Sequence, residues 1–169
     1  MGDPSLAAIL TRRCGGLGPK PMKNSGHDVR LVVDTNALVS GLVWGGVPGR
    51  VIDWVQTHRT TLWFSEATLR ELAAVLRYEK IERKIRADRQ SPEVLMAKLM
   101  TRFQLAAVGH IPERIPDEPV DNELVAVAVA AQVDAIITGD RKHLLPLKAV
   151  DGIPILTPTQ FLRWIQKKG

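Results

Sequence analysis

Short apolar segments alternate along the chain with longer amphipathic ones from Val29 onward. The short segments are apolar on both faces, as strands are when helices cover the two sides of a parallel sheet. The longer segments repeat apolar residues at helical spacing. The pattern predicts strands at 30–34, 61–64, 105–108, 135–138 and 153–156, and helices at 48–58, 66–78, 92–104 and 121–132, with a final helix after Thr157. We therefore predict an α/β fold with a central parallel β-sheet flanked by helices on both faces.

The first part of the chain lacks this alternation. Residues 1–28 are rich in glycine and proline and show little periodicity, which favours a flexible N-terminal extension over a folded element. The remaining residues, 29–169, are enough to bury a substantial core. The prediction is one folded domain at 29–169 preceded by an extension at 1–28.

Four acidic residues fall where the predicted strands and helices meet at one edge of the sheet: Asp34, Glu71, Asp121 and Asp140. Function in open α/β sheets collects outside the carboxyl ends of the strands. Two carboxylates about 4 Å apart repel each other by roughly 4 kcal/mol at an effective dielectric constant of about 20. Such a cluster requires protons or a cation, and oxygen ligands suit Mg²⁺ or Mn²⁺. The first hypothesis is therefore a metal-dependent enzyme.

Each of these residues also has a structural interpretation. Aspartates are common at helix N-caps and in turns after strands, where they accept backbone N–H bonds. Glu71 resists this interpretation because it lies inside a helix, at the margin of the apolar arc, with no salt-bridge partner three or four residues away. A glutamate in that position either reaches a shared site or lies at the rim in water.

Composition narrows the function classes. The formal charge of +5 favours an anionic partner such as nucleic acid, although the charges between Arg77 and Arg102 alternate in sign and are typical of solvated helix faces. The single cysteine, Cys14, excludes an internal disulfide framework and fits a cytoplasmic protein. No apolar run is long enough to span a membrane. The four histidines show no metal-ligand spacing, so a zinc site is not expected.

The segment Val32-Val33-Asp34-Thr35-Asn36, with Ser40, resembles the opening motif of PIN-domain ribonucleases. It is most similar to the branch that contains toxin components of toxin–antitoxin systems, such as the VapC toxins. Further motifs follow in the family's order across roughly residues 29–165: Leu69-Arg70-Glu71-Leu72, Asp121-Asn122, Thr138-Gly139-Asp140 and Ile155-Leu156-Thr157-Pro158.

The resemblance implies a PIN-like domain that acts as a metal-dependent endoribonuclease. Its catalytic residues, which are also the ligands of Mg²⁺ or Mn²⁺, would be Asp34, Glu71, Asp121 and Asp140. Supporting polar groups would be Asn36, Thr138 and Asn122. The implied partners are an RNA substrate, a cognate antitoxin and a second copy of the chain in a homodimer.

One departure from the family pattern concerns the residues just before Asp121. The branch usually has a run of aspartates there, whereas this chain has Asp117-Glu118-Pro119-Val120. Glu118 is able to replace one of those aspartates, but Val120 cannot bind a metal. The departure leaves the four principal positions intact and affects only auxiliary ligands.

Two alternatives remain open at the level of sequence. The first is a non-catalytic RNA- or protein-binding module on the same PIN-like fold, although a binding module has no need to hold four carboxylates together. The second is a phosphatase of the haloacid-dehalogenase type with Asp34 as the nucleophile. That class resembles Asp-x-Asp at this point, and here the third residue is Asn36.

Overall fold

The computed structural model describes residues 28–109 and 115–168 of the 169-residue chain. Apart from Asp28, the predicted N-terminal extension lies outside the described residues. The strands are β1 (Val29–Val33), β2 (Thr60–Phe64), β3 (Phe103–Leu105), β4 (Ala135–Ile137), β5 (Ala149–Val150) and β6 (Ile153–Leu156). The helices are α1 (Thr35–Val43), α2 (Gly46–Thr57), α3 (Glu66–Leu76), α4 (Glu79–Ala87), α5 (Pro92–Met100), α6 (Pro119–Ala131) and α7 (Pro158–Lys168), with a 3-10 turn at Leu145–Leu147.

The strands form one sheet in the order β3-β2-β1-β4-β6-β5. All neighbours are parallel except β5, which pairs antiparallel with β6 at the edge. The chain moves outward from β1 to β3 and then returns to the other side of β1 to form β4. This reversal leaves a crevice at the carboxyl ends of β1 and β4, where α/β proteins bind their ligands.

Two hydrophobic cores cover the two faces of the sheet. Alternate residues of β1 separate between them, because successive side chains of a strand point to opposite faces: Leu31 and Val33 belong to the first core and Val32 to the second. The first core contains residues of α1, α2, α3, α4, α5 and α7, and the second contains the apolar side of α6. The predicted α/β class, with helices on both faces of a mainly parallel sheet, is confirmed.

The structure differs from the predicted elements at the end of the helix 92–104 and the strand after it, at α1, at α4, and at the edge strand β5, which was not predicted. The predicted helix 92–104 ends at Met100, and β3 covers 103–105 rather than 105–108 because Phe103 packs in the first core and pairs with Leu62 of β2. Helix α1 was not predicted, and α4 had no predicted bounds, although the charges between Arg77 and Arg102 were interpreted as solvated helix faces. Helix α4 is mostly charged and buries only Ile85, but ion pairs four residues apart join its turns, including Glu79–Arg83 and Glu82–Arg86.

Among the helices within residues 28–109 and 115–168, none combines the length and the apolar character needed to cross a membrane.

Candidate metal centre

Asp34 lies between the ends of β1 and β4. It is the N-cap of α1, and its Oδ1 accepts a hydrogen bond from the backbone N–H of Asn36 at 3.3 Å. Its Oδ2 accepts from the hydroxyl of Thr138 at 3.1 Å, and its own N–H donates to the carbonyl of Ile137 at 2.9 Å. Burial raises the pKa of Asp34, the two hydrogen bonds to its carboxylate oppose this, and the charges of Glu71 and Asp140 raise it further.

Glu71 reaches the same region from α3. Its Oε2 accepts a hydrogen bond from the buried hydroxyl of Thr35, the first residue of α1, at 3.0 Å. A capping box fixes the start of α3: Ser65 Oγ accepts from the N–H of Thr68 at 3.1 Å, and Thr68 Oγ1 accepts from the N–H of Ser65 at 2.9 Å. The bond between Thr35 and Glu71 places the Glu71 carboxylate beside Asp34.

Asp121 lies in the first turn of α6, and its side chain is 16% exposed. The pKa of Asp121 is raised to about 6, first by burial and then by the negative charges of Asp140, Asp34 and Glu118, against a smaller opposing effect of His143. Glu118 is the N-cap residue of the same helix. The beginning of α6 therefore brings two carboxyl groups to the end of the sheet.

Asn122 is buried and bonds to the turn before α6. Its Nδ2 donates to the carbonyls of Ile115 at 2.7 Å and Glu118 at 3.0 Å, and its Oδ1 accepts from the N–H of Ile115 at 2.9 Å. These bonds tie the segment 115–118 to the helix. The contribution of Asn122 to the site is thus to hold the backbone that carries Glu118.

Asp140 lies in the turn after β4, with Thr138 beside it. Its Oδ1 accepts from the N–H groups of Lys142 at 2.7 Å and His143 at 3.2 Å, and its own N–H donates to the hydroxyl of Thr138 at 2.9 Å. Burial alone would raise the pKa of Asp140, but the two N–H groups and the imidazole of His143 more than offset it, so the pKa is lower than the ordinary value. The fully buried Thr138 hydroxyl joins Asp34 to Asp140.

The third supporting residue, Asn36, contributes its backbone N–H to Asp34, and its side chain is exposed. The carboxylates of Asp34, Glu71, Asp121 and Asp140 therefore lie near one another at the end of the sheet, and Thr138 and Asn36 both donate to the carboxylate of Asp34.

His143 has no role in the sequence-based prediction, yet its ring lies among the carboxylates. Its Nε2 is 3.1 Å from Glu118 Oε1, and its Nδ1 is 3.2 Å from Asp140 Oδ2 and 3.5 Å from Asp121 Oδ2. Histidine spacing alone does not reveal this residue. The sequence does offer one signal for its role: His143 lies three residues after Asp140, in the same turn.

The donor set fits a divalent cation. Burial, and then the like charges of neighbouring carboxylates, raise the pKa values of Asp34 and Asp121, and a cation held between these groups would stabilise their charged forms. Glu118, Asp121 and His143 each offer one ligand atom, and these three atoms lie within 4.8 Å of one another. Oxygen-rich ligand sets of this kind suit Mg²⁺ or Mn²⁺.

Comparison with known proteins identifies the family of this chain. A search of curated protein sequences gives no significant match. A solved structure, that of VapBC2 from Rickettsia felis bound to a DNA fragment from their promoter, contains a similar chain: the TM-score is 0.52 at 12% identity, over 76% of this chain and 98% of that one. This likeness concerns the fold. The family model described as the PIN domain matches residues 30–142, which include all four predicted carboxylates. The chain belongs to the PIN-domain family.

Proposed function

We propose that this protein is a metal-dependent endoribonuclease and the toxin component of a toxin–antitoxin system. The observation that carries the proposal is the convergence of Asp34, Glu71, Asp121 and Asp140 at the carboxyl ends of β1 and β4. Their mutual repulsion opposes folding, and a function that requires a cation accounts for their being held together. Membership of the PIN-domain family supports a nuclease.

The ligands of the ion would be these four carboxylates, with Mg²⁺ or Mn²⁺ as the ion. One or two such ions, when bound, would supply an activated water and would neutralise charge on the scissile phosphate and the leaving oxygen. The protein's own contribution is orientation. Thr138 and the N–H of Asn36 hold the carboxylate of Asp34, and the N–H groups that follow Asp140 hold its Oδ1, so the oxygens keep their directions.

RNA is the proposed substrate. The chain carries a formal charge of +5, and the exposed Arg141 and Lys142 directly follow Asp140, where they would attract the phosphate backbone. Single-stranded RNA fits best, because its bases are unstacked and accessible. A cognate antitoxin, a homodimer and a cytoplasmic location belong to the same proposal, supported by resemblance to VapC toxins.

The test is cleavage of a mixed set of labelled RNAs by the purified protein with Mn²⁺, with Mg²⁺ and with EDTA. We expect Asp34→Asn and Asp140→Asn to lower the rate at least about a hundredfold, a loss of roughly 3 kcal/mol of transition-state stabilisation. Asp53→Asn, at an exposed position of α2, is the matched control and should cleave at the wild-type rate. Circular dichroism establishes that each variant is folded.

Wild-type rates in both site variants would refute the assignment of these carboxylates. The alternative of a non-catalytic RNA- or protein-binding module makes a different prediction, namely a folded protein that neither cleaves RNA nor binds Mn²⁺ in calorimetric titration. Metal binding without cleavage would instead direct the search to a specific RNA target. The assignment to the PIN-domain family leaves the phosphatase interpretation without support.

A further inference from the structure

His143 lies among the carboxylates, and each of its ring nitrogens is close to a carboxylate oxygen. Its side chain is 25% exposed. The Nε2 atom faces Glu118 Oε1 at 3.1 Å, whereas Nδ1 faces Asp140 Oδ2 at 3.2 Å and Asp121 Oδ2 at 3.5 Å. One nitrogen thus contacts a single carboxylate at the start of α6, and the other lies between two aspartates of the proposed metal site.

Glu118 orients this ring. A carboxylate that accepts the N–H of one ring nitrogen sets the tautomer and leaves the lone pair on the other nitrogen. With the hydrogen on Nε2, the Nδ1 lone pair points toward Asp121 and Asp140. Glu118 is itself held, because Asn122 bonds to its carbonyl oxygen at 3.0 Å. Histidines that bind metals are generally supported in this way, with the second ring nitrogen donating to a carboxylate.

The spacing of the ligand atoms is compatible with one shared ion. In an octahedral site with metal–ligand distances of about 2.1 Å, adjacent ligand atoms lie roughly 3 Å apart. The distances of 3.2 Å and 3.5 Å from His143 Nδ1 to the two aspartate oxygens are close to this value. A lone pair and two carboxylate oxygens at such distances attract a cation jointly.

We propose that His143 Nδ1 is a nitrogen ligand of the ion held by Asp121 and Asp140, that Glu118 is its positioning residue, and that this ligand makes the centre select Mn²⁺ over Mg²⁺. Imidazole nitrogen is a favourable ligand for first-row transition ions, whereas Mg²⁺ strongly prefers oxygen. A centre made of the four carboxylates alone would not gain this selectivity. The inference rests on the proposed function only in requiring a metal ion at this site.

Pulsed electron paramagnetic resonance on the Mn²⁺-loaded protein tests the ligand directly, because modulation of the electron spin echo detects nitrogen bound to Mn²⁺. We expect nitrogen modulation in the wild type and in His58→Gln, because the ring of His58 stacks on Trp54 and contacts none of the proposed ligands. We expect none in His143→Gln. In calorimetric titrations His143→Gln should lower Mn²⁺ affinity about tenfold or more and leave Mg²⁺ affinity nearly unchanged.

Mn²⁺ bound to the wild type without nitrogen modulation would overturn the inference, even if no variant folds. If that same sample cleaves RNA, the proposed ribonuclease function stands and only the ligand assignment fails. A wild-type protein that binds no Mn²⁺ would remove both. For Glu118→Ala we expect nitrogen modulation to persist while Mn²⁺ affinity falls about tenfold to a hundredfold. Unchanged affinity in that variant would remove Glu118 as the positioning residue.

Discussion

At the scale of single residues, Asp121 and Asp140 belong to one cluster but differ in their proton affinity. The pKa of Asp121 is raised to about 6 by burial and by three neighbouring carboxylates. The pKa of Asp140 is lowered, because two backbone N–H groups and the imidazole of His143 outweigh the effect of burial. In the metal-free protein Asp121 therefore takes up a proton well before Asp140 as the pH falls.

This difference predicts how Asp121 affects stability. Its pKa is higher in the folded chain, about 6, than its ordinary value of 3.8, so the folded state binds the proton more tightly. The resulting stabilisation is fully present below the lower value and is lost as the pH rises through the higher one. In EDTA, we expect Asp121→Asn to gain stability relative to the wild type between pH 4.5 and pH 7, as measured by urea unfolding. An offset that is constant with pH would contradict the raised pKa.

At the scale of elements, short polar bonds set the positions of the four carboxylates. Asp34 caps α1, the Thr35 hydroxyl joins α1 to α3 through Glu71, and Asn122 joins α6 to the turn before it. The end of β4 supplies Thr138, whose hydroxyl donates to Asp34 and accepts from the N–H of Asp140. The site is thus built from residues at or near the ends of helices and strands. The packing of the apolar sides of these elements brings their ends together.

Thr138→Val tests this dependence with little change in shape. Asp34 Oδ2 and the Asp140 N–H would each lose a partner, which should cost about 1–3 kcal/mol in the free energy of unfolding and weaken Mn²⁺ binding. Thr60→Val is the matched control, because Thr60 is buried like Thr138 and its hydroxyl has no hydrogen-bond partner among residues 28–109 and 115–168. We expect this control to be neutral or slightly stabilising. Equal effects of both variants on stability and Mn²⁺ affinity would contradict the role of Thr138.

At the scale of the whole molecule, the sheet order determines which strand ends share a crevice. β1 lies between β2 and β4, so the residues after β1 and β4 are neighbours although 104 positions separate Asp34 from Thr138 in sequence. The helices that carry Glu71 and Asp121 belong to different cores on opposite faces of the sheet. A ligand that binds the four carboxylates therefore connects both layers of the fold.

Metal binding should consequently stabilise the whole domain. At a free Mn²⁺ concentration about a hundred times Kd, binding adds roughly 2.7 kcal/mol to the stability, which corresponds to a rise in Tm of roughly 5–10 °C for a domain of this size. Thermal unfolding with Mn²⁺ and with EDTA measures this rise. Asp34→Asn should abolish it, whereas Asp53→Asn should retain it. A full rise in Asp34→Asn would show that Asp34 is not a ligand of the ion.

The sequence by itself determined the α/β class and the four acidic positions, because strand and helix periodicity and the residues at element ends are local properties of the chain. The sequence placed β3 at 105–108 rather than 103–105 and gave no bounds for the charged helix α4, since three residues have no measurable period and α4 is supported by ion pairs more than by apolar residues. Only the tertiary structure decided the contacts of the site: Thr35 with Glu71, Thr138 with Asp34, and His143 with Glu118, Asp121 and Asp140. These contacts, and the pKa values that follow from them, depend on how segments distant in sequence pack together. The periodicity within each segment does not specify that packing.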